Sequence, residues 1–212
     1  MNKKALFLLL FLSLPLSLSA LHLNLKVGMG GHRYSLYDVN YYKRNLTKWD
    51  PLYGATVELN FSRAFALETG AYLKKYRGDV ELRFTDSTTG YIYKYKSKFD
   101  TKYVSVPILF KTYFLSEEIS PFLLFGVNLD FYKSHKYGEE NKNKIVIGPF
   151  DGEFKKQATF MVIGIGSLLF PDTANIQAEI HYTRSLNKLY ELGKNNGNIK
   201  TGGFEFIFSK RF

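Results

Sequence analysis

The chain ends on Gly203-Phe204-Glu205-Phe206-Ile207-Phe208-Ser209-Lys210-Arg211-Phe212, and this stretch carries the pattern that decides the fold. Side chains of a β-strand point alternately to opposite faces. One face of this strand is aromatic and consists of Phe204, Phe206, Phe208 and Phe212. The other face is small or polar apart from Ile207. Two structures suit such an ending: the last core strand of a soluble sandwich, or the strand that closes a transmembrane β-barrel with its aromatic face in lipid.

Residues 1–20 are predicted to be a signal peptide rather than part of the fold. Two lysines give a positive start, a mainly apolar run covers residues 5–18, and the small residues Ser19 and Ala20 suit cleavage. The run is shorter than the roughly 20 apolar residues that a membrane-spanning helix needs. The mature domain is therefore expected to cover residues 21–212, with cleavage after Ser19 or Ala20.

Eight segments alternate between apolar and polar residues, each over about ten residues, which is the length of a tilted transmembrane strand. They lie at residues 21–30, 53–61, 65–74, 104–114, 123–131, 160–169, 176–183 and 203–212. The alternation favours an all-β domain, and no later segment is apolar enough for a transmembrane helix.

The connections between these strands alternate strictly in length. Short ones are predicted near 62–63, at 115–120 and at 170–173. Long ones are predicted at about 32–50, 75–102, 133–157 and 184–200. Aromatic and basic residues interleave at 91–99, and this part of the second connection is interpreted as the hairpin of the third and fourth strands extending beyond the membrane. Short periplasmic turns and long extracellular loops are typical of outer-membrane barrels. The prediction is an eight-stranded antiparallel up-and-down transmembrane β-barrel with both termini periplasmic, in a bacterial outer membrane.

Glycines indicate which face points inward. Seven lie on the polar strand faces, where a solvated strand would gain nothing from them. Inside a narrow barrel they leave room for larger neighbours, so the polar faces are assigned to the lumen. The predicted lumen charge network consists of Lys26, Glu58, Glu68, Lys111, Asp130, Glu179, Glu205 and Arg211. The alternative is a lipocalin-like soluble barrel with these charges in water.

Further side chains are expected to fill this lumen. Tyr72, Tyr113 and Tyr132 share its polar faces, and an eight-stranded barrel has an interior just wide enough for side chains. The sequence therefore predicts a barrel without an open pore.

In Tyr103-Val104-Ser105-Val106-Pro107-Ile108-Leu109-Phe110-Lys111, Pro precedes an apolar run and Lys. This segment resembles a strand of the PorT-like outer-membrane β-barrel family. Ser120-Pro121-Phe122-Leu123-Leu124-Phe125-Gly126-Val127 resembles the next strand. His181-Tyr182-Thr183-Arg184-Ser185-Leu186 resembles the seventh, with His181 in place of the usual Arg and Ser185 in place of a Gly. The terminal Phe also resembles the closing signal of such barrels. The resemblance implies the barrel fold and includes secretion-system accessories among possible roles.

The sequence offers little support for catalysis or for a cofactor. With no Cys, disulfides and thiolate metal sites are excluded. His181-Tyr182-Thr183, with Glu191 downstream, is a loose echo of the His-x-Ser pair of lipid A-deacylating barrels, but Thr suits that nucleophile poorly. We expect no catalytic, cofactor-binding or metal-binding residues. His32 and His135 are assigned to loops, as are four aspartates expected to cap turns: Asp38, Asp50, Asp86 and Asp100.

Positive charge is concentrated in the predicted loops. The formal net charge is +10, and the loops at 75–102 and 184–200 each carry a basic surplus. A basic rim attracts anionic groups of the outer leaflet. The expected protein is a non-enzymatic outer-membrane barrel with surface-binding or structural function. Its expected partners are membrane lipid, the barrel assembly machinery, and lipopolysaccharide or an envelope protein, but not nucleic acid. A PorT-like secretion accessory and a lipid A-modifying enzyme remain alternatives.

Overall fold

The computed structural model describes residues 21–37, 44–45, 48–85, 92–114, 119–140, 152–170, 175–188, 190–192 and 198–212. The predicted signal peptide lies outside these residues. Eight long strands form the fold: β1 (Leu21–Tyr37), β2 (Lys48–Asn60), β3 (Phe65–Thr85), β4 (Ile92–Tyr113), β5 (Ile119–Glu140), β6 (Gln157–Leu169), β7 (Ile176–Ser185) and β8 (Asn198–Arg211). No helix in the described ranges is long and apolar enough to span a membrane.

The eight strands form one closed sheet. Each strand pairs antiparallel with its sequence neighbours, and β1 pairs with both β2 and β8. Three short strands extend the sheet beyond the barrel: Arg44–Asn45, Gly152–Phe154 and Tyr190–Leu192. The predicted eight-stranded antiparallel up-and-down barrel is confirmed.

The register sets the tilt of the strands. From Leu23, the ladder passes through Val57, Thr69, Ile108, Val127, Met161, Arg184 and Gly202. It then returns to β1 at Arg33, ten residues beyond its start. For eight strands this stagger implies a tilt of about 40° to the barrel axis, within the usual range for barrels.

The two faces of the wall differ as the alternation predicts. Apolar side chains point outward on every strand and are exposed, as in Leu25 (51%), Phe125 (58%) and Ile165 (56%). Polar and charged side chains point inward and are buried. Such a distribution is the inverse of a soluble barrel and suits a wall surrounded by lipid.

The two ends of the barrel wall differ in their connections and in the lengths of the strands. The chain enters β1 and leaves β8 at the same end, where Asn24 lies opposite Arg211. That end also carries the predicted short connections. At the first of them, Ser62 Oγ accepts hydrogen bonds from the backbone N–H groups of Ala64 and Phe65, at 3.2 and 3.1 Å. The predicted connections at 115–120 and 170–173 lie mostly outside the described residues.

At the other end, the strands run further than predicted. β3, β4 and β5 contain 21, 22 and 22 residues, whereas β7 contains 10. Most of the predicted 75–102 connection is therefore a continuation of the β3–β4 ladder, which agrees with its interpretation as an extended hairpin. The assignment of His135, Asp50 and Asp100 to loops was wrong, because all three lie within strands.

Glycines on the inward face serve two purposes rather than the single one predicted. A Cβ on Gly166 would collide with the ring of Phe122, so this glycine does make room for a side chain. At Gly54 and Gly126, a Cβ would instead meet backbone atoms of the neighbouring strand. There, the missing side chain permits close approach of two strands in the curved wall.

Candidate functional site

A charge cluster centred on Lys111 occupies the lumen. Its Nζ lies 3.1 Å from Glu58 Oε2, 2.6 Å from Glu68 Oε2 and 3.0 Å from Glu179 Oε1. Lys26 completes the cluster, with its Nζ 2.6 Å from Glu68 Oε1 and 2.8 Å from Glu179 Oε1. All five side chains are buried. They come from β1, β2, β3, β4 and β7, so the ion pairs tie opposite walls of the barrel together.

Hydroxyl groups and one arginine make further contacts with the carboxylate oxygens of this cluster. Arg211 Nη2 lies 3.3 Å from Glu58 Oε1, and the Tyr113 hydroxyl donates to the same oxygen at 2.8 Å. The Tyr72 hydroxyl donates to Glu68 Oε1 at 3.1 Å. A buried charge is tolerated only when it is paired and hydrogen-bonded, and these contacts meet that condition.

A second cluster surrounds Glu205, further from the termini. Lys74 Nζ lies 2.7 Å from Glu205 Oε1, and His32 Nε2 lies 3.5 Å from the same oxygen. His181 joins the two clusters, because its Nε2 lies 2.8 Å from Glu179 Oε2 and its Nδ1 lies 3.8 Å from Glu205 Oε2. The assignment of His32 to a loop was wrong: it is a buried residue of β1.

Asp130 differs from the other predicted members of the lumen charge network because its partner is a tyrosine hydroxyl rather than an oppositely charged group. The Tyr76 hydroxyl donates to its Oδ2 at 2.7 Å, and no cation of a described residue lies within ion-pairing distance. The Tyr76 ring stacks on Phe160 with centroids 5.8 Å apart and lies 5.3 Å from the ring of Tyr103. Asp130 therefore belongs to an aromatic layer next to the Glu205 cluster.

Apolar side chains occupy much of the remaining lumen. The larger buried ones are Leu52, Leu109, Phe122, Leu124, Phe160, Val162, Leu168 and Ile207. Phe122 also contacts the charged centre, with Lys111 Nζ 4.7 Å from its ring centroid. Of the three tyrosines expected to fill the lumen, Tyr72 and Tyr113 are buried, but Tyr132 is 37% exposed. Tyr76 and Tyr103, which were not predicted to fill the lumen, are buried.

The sequence matches a family model described as an outer membrane protein beta-barrel domain, over residues 15–191. This match covers most of the chain and ends before β8, the strand whose pairing with β1 closes the sheet. The chain belongs to the outer-membrane β-barrel domain family. Its location is the bacterial outer membrane, and its apolar outer wall is the lipid-facing surface.

Several solved outer-membrane proteins are similar to this chain at low sequence identity. The outer membrane protein OprG from Pseudomonas aeruginosa is similar with a TM-score of 0.57 and 12% identity, covering 91% of this chain and 96% of that one. Ail, the attachment invasion locus protein of Yersinia pestis, gives 0.39 and 14% over 90% and 98%. Neisserial surface protein A gives 0.43 and 8% over 90% and 97%. At these identities the likeness to OprG concerns the fold alone. The sequence matches no curated protein.

The residues of the enzyme alternative face the lumen of this outer-membrane barrel. His181 and Thr183 are each 1% exposed, whereas lipid contacts the opposite face of β7. The side chain of Glu191 is outside the described part of the structure. Within that part, no group of three or more His, Asp or Glu residues is arranged to hold a metal ion.

An ion pair joins β2 to β3 at the end of the barrel opposite the termini. Arg77 Nε bonds Asp50 Oδ1, and the Arg77 backbone N–H donates to Asp50 Oδ2 at 3.0 Å. Arg77 Nη2 also donates to the Trp49 carbonyl at 3.1 Å. Asp50 thus fixes the approach of β2 to β3 and does not cap a turn as predicted.

The β3–β4 extension brings charges of both signs into register. Lys96 lies opposite Glu81 and Lys98 opposite Asp79, whereas Lys94 lies opposite Arg83. The basic surplus predicted for this segment is therefore interrupted by acidic neighbours across the ladder. Asp38 and Asp86 lie outside the described residues.

Sequence reasoning missed Lys74, His32 and Asp50 as lumen or rim groups. Each lies close to the predicted limit of a strand, where the apolar half of the alternation ends. Lys74 already lies on the polar face of the strand predicted at 65–74 but was left out of the network. The inward period-two position continues beyond the strands predicted at 21–30 and 53–61, so extending them by two and three residues would have found His32 and Asp50.

Proposed function

We propose that this protein is a non-enzymatic outer-membrane barrel whose strand extensions bind an anionic partner at the cell surface. The long β3, β4 and β5 strands support this role, because they project on one side from a wall held rigid by its lumen. Binding residues are often presented in this way, on segments carried by a rigid scaffold.

The filled lumen argues for a role on the surface rather than conduction. Lys111 and Lys26 cross the centre and bond carboxylates from other strands, with apolar rings packed beside them. Purified protein in planar bilayers is expected to show no stable, large conductance. Porin-like steps would contradict a filled lumen.

Neutral substitutions test the proposed binding surface. The triple variant Lys94→Gln, Lys96→Gln and Lys98→Gln should weaken binding to a phosphorylated lipopolysaccharide core oligosaccharide from which lipid A has been removed. The effect should be strongest at low salt, because exposed charges are screened within about 8 Å at physiological ionic strength. Glutamine avoids placing new acidic residues opposite Glu81 and Asp79.

The matched control acts in the opposite direction on the same ladder. Asp79→Asn with Glu81→Gln removes the acidic residues opposite two of those lysines and should strengthen binding. Calorimetry or surface plasmon resonance provides the measurement. Equal affinities of the wild type, the lysine variant and the acidic-residue variant would contradict binding through this extension.

The enzyme alternative predicts a different result. His181 is enclosed and contacts Glu179 and Glu205, which supports a structural role. His181→Ala should leave the mass spectrum of cellular lipid A unchanged. A changed spectrum, together with unaltered oligosaccharide binding by the lysine variant, would favour the lipid A-modifying enzyme.

A PorT-like accessory of protein secretion is the alternative within the non-enzymatic class. The segments that carry this resemblance supply wall residues: Pro107 and Leu109 point inward, and Gly126 lies against a neighbouring backbone. They therefore favour the fold more than the activity. Loss of secreted proteins from a deletion strain, restored by wild type and equally by the triple lysine variant, would favour the accessory role.

A further inference from the structure

A ring of basic residues surrounds the outer wall at the end opposite the termini. On six of the eight strands, the first outward side chain beyond the apolar band is Lys or Arg. These residues are Arg33 on β1, Lys75 on β3, Lys102 on β4, Lys133 on β5, Arg184 on β7 and Lys200 on β8. We call this set the basic ring.

The register brings the basic ring to one level of the barrel. Arg33 and Arg184 both lie opposite Gly202, and Lys75 lies opposite Lys102. With the strand rise and stagger of this barrel, the six positions fall within about 10 Å along its axis. Residues far apart in sequence thus form a continuous feature of the folded wall.

Two lysines of the ring face each other without full compensation. Like charges directly opposite on neighbouring strands are destabilising. Lys75 bonds Asp100 at 2.8 Å, but Lys102 makes no ion pair with another described residue. The same is true of Lys133, the exposed bulge residue beside Ser134, which pairs with Lys102 on the neighbouring strand. An external anion would relieve this repulsion.

Arg33 and Arg184 flank a notch in the wall. Gly202 separates them and has no side chain, and the two arginines stand on strands roughly 10 Å apart. Both are exposed and make no ion pair within the described residues. Two guanidinium groups at this spacing can converge on one phosphate with bidentate hydrogen bonds.

The opposite end of the wall has a different composition. Its outward residues are mainly apolar, and five of them are aromatic residues that are all at least 37% exposed: Phe61, Phe65, Phe114, Phe170 and Phe212. Lys210 is the one outward cation there among the described strand residues, and it lies 5.9 Å from the Phe212 ring centroid. A basic ring at one membrane boundary only indicates a ligand confined to one leaflet.

We propose that the basic ring binds the phosphate groups of lipid A. The ring borders the apolar band directly, so its ligand has to combine phosphate with acyl chains. Short turns of outer-membrane barrels are periplasmic, and they lie at the other end of this barrel, so the ring meets the outer leaflet. This surface is separate from Lys94, Lys96 and Lys98, and the two proposals stand independently.

Native mass spectrometry of the full mature chain, released from phosphatidylcholine nanodiscs containing bisphosphorylated lipid A, tests the proposal. The quadruple variant Arg33→Ser, Lys102→Ser, Lys133→Ser and Arg184→Ser should bind lipid A on the order of a hundredfold more weakly. Lys210→Ser, the matched outward lysine at the other end, should bind as the wild type does. Heat-modifiable gel mobility verifies that each variant is folded.

Two further binding measurements decide the identity of the ligand. A charge-preserving variant, with Lys102 and Lys133 of the quadruple set changed to Arg, should retain lipid A. Phosphatidylglycerol at an equal mole fraction should not displace it. Unchanged lipid A binding by the folded quadruple variant would overturn the proposal, and displacement by phosphatidylglycerol would replace it with a general anionic-lipid belt. Core oligosaccharide binding by the quadruple variant should be unchanged, which separates this result from the proposed function.

Discussion

Lys74 and Lys75 are sequence neighbours on opposite faces of β3. Lys74 bonds Glu205 at 2.7 Å inside the lumen, where both side chains are almost fully enclosed. Lys75 bonds Asp100 at 2.8 Å outside, where the two side chains are 31% and 29% exposed. The two ion pairs have similar distances but should differ in their contribution to stability. An enclosed charge depends on its partner, whereas water already stabilises an exposed charge.

The same contrast between enclosed and exposed side chains holds for the whole barrel wall. Inside, each charge needs particular partners from other strands, as Lys111 needs Glu58, Glu68 and Glu179. Outside, an apolar side chain contacts lipid and its ladder neighbours, as Phe110 stacks on Phe125. The inner face should therefore be intolerant of single charge deletions, and the outer face should tolerate any apolar exchange.

The largest effect is expected from Lys111→Met. Methionine retains an unbranched apolar stem but leaves three enclosed carboxylates without this cation, which should cost about 3–5 kcal/mol of unfolding free energy. Urea titration of the refolded barrel, followed by gel mobility, measures it. Lys102→Met, on the outward face of the same strand, is the matched control and should change stability little. Similar stability of the two variants would remove the distinction between the faces.

A charge placed in lipid should have the next largest effect. Phe125 points outward near the middle of the apolar band, and Phe125→Arg should cost about 2–4 kcal/mol. Gln157→Arg, at the exposed boundary of β6, should cost only about 0–1 kcal/mol. Phe125→Leu accounts for the lost stacking on Phe110. Unfolding in bilayers provides the comparison, and equal costs at the two depths would mean that lipid does not surround this wall.

Deletion of Phe212 tests the seam between the first and last strands. Its backbone N–H donates to the Leu23 carbonyl at 2.8 Å, and its carbonyl accepts from the Leu23 N–H at 3.2 Å. Losing two net hydrogen bonds should destabilise the refolded barrel by about 1–3 kcal/mol. The folded amount in outer membranes should fall while synthesis continues. Phe212→Ala keeps both bonds and isolates the contribution of the ring, and normal assembly of the deletion would refute a role for this residue in closure.

The smallest effect is expected for the exposed pair of Lys75 and Asp100. A double-mutant cycle with alanine should give a coupling energy of about 0.2–1 kcal/mol. The same cycle on Lys74 and Glu205 should give a clearly larger value. Equivalent coupling energies would show that both faces of β3 experience the same environment.

The strand faces were predictable because they depend on local alternation. The ends of some strands and the inward apolar residues were not predictable, and both failures have physical causes. β3, β4 and β5 continue past the apolar band, since their backbone groups still find ladder partners there. The lipid-facing signal is then lost although the strand persists. Inward apolar residues such as Phe122 and Leu124 were missed because a consecutive apolar run conceals which face each residue occupies.

The sequence alone predicted the count of strands, the identity of the lipid-facing wall and the closing aromatic strand. The signal-like start stays an expectation. All of the confirmed features follow from a period of two, which neighbouring residues determine by themselves. Only the tertiary structure decided which charges meet. Lys26 bonds Glu179, and Arg33 stands across Gly202 from Arg184, because the ten-residue stagger of the closed sheet brings these distant positions together.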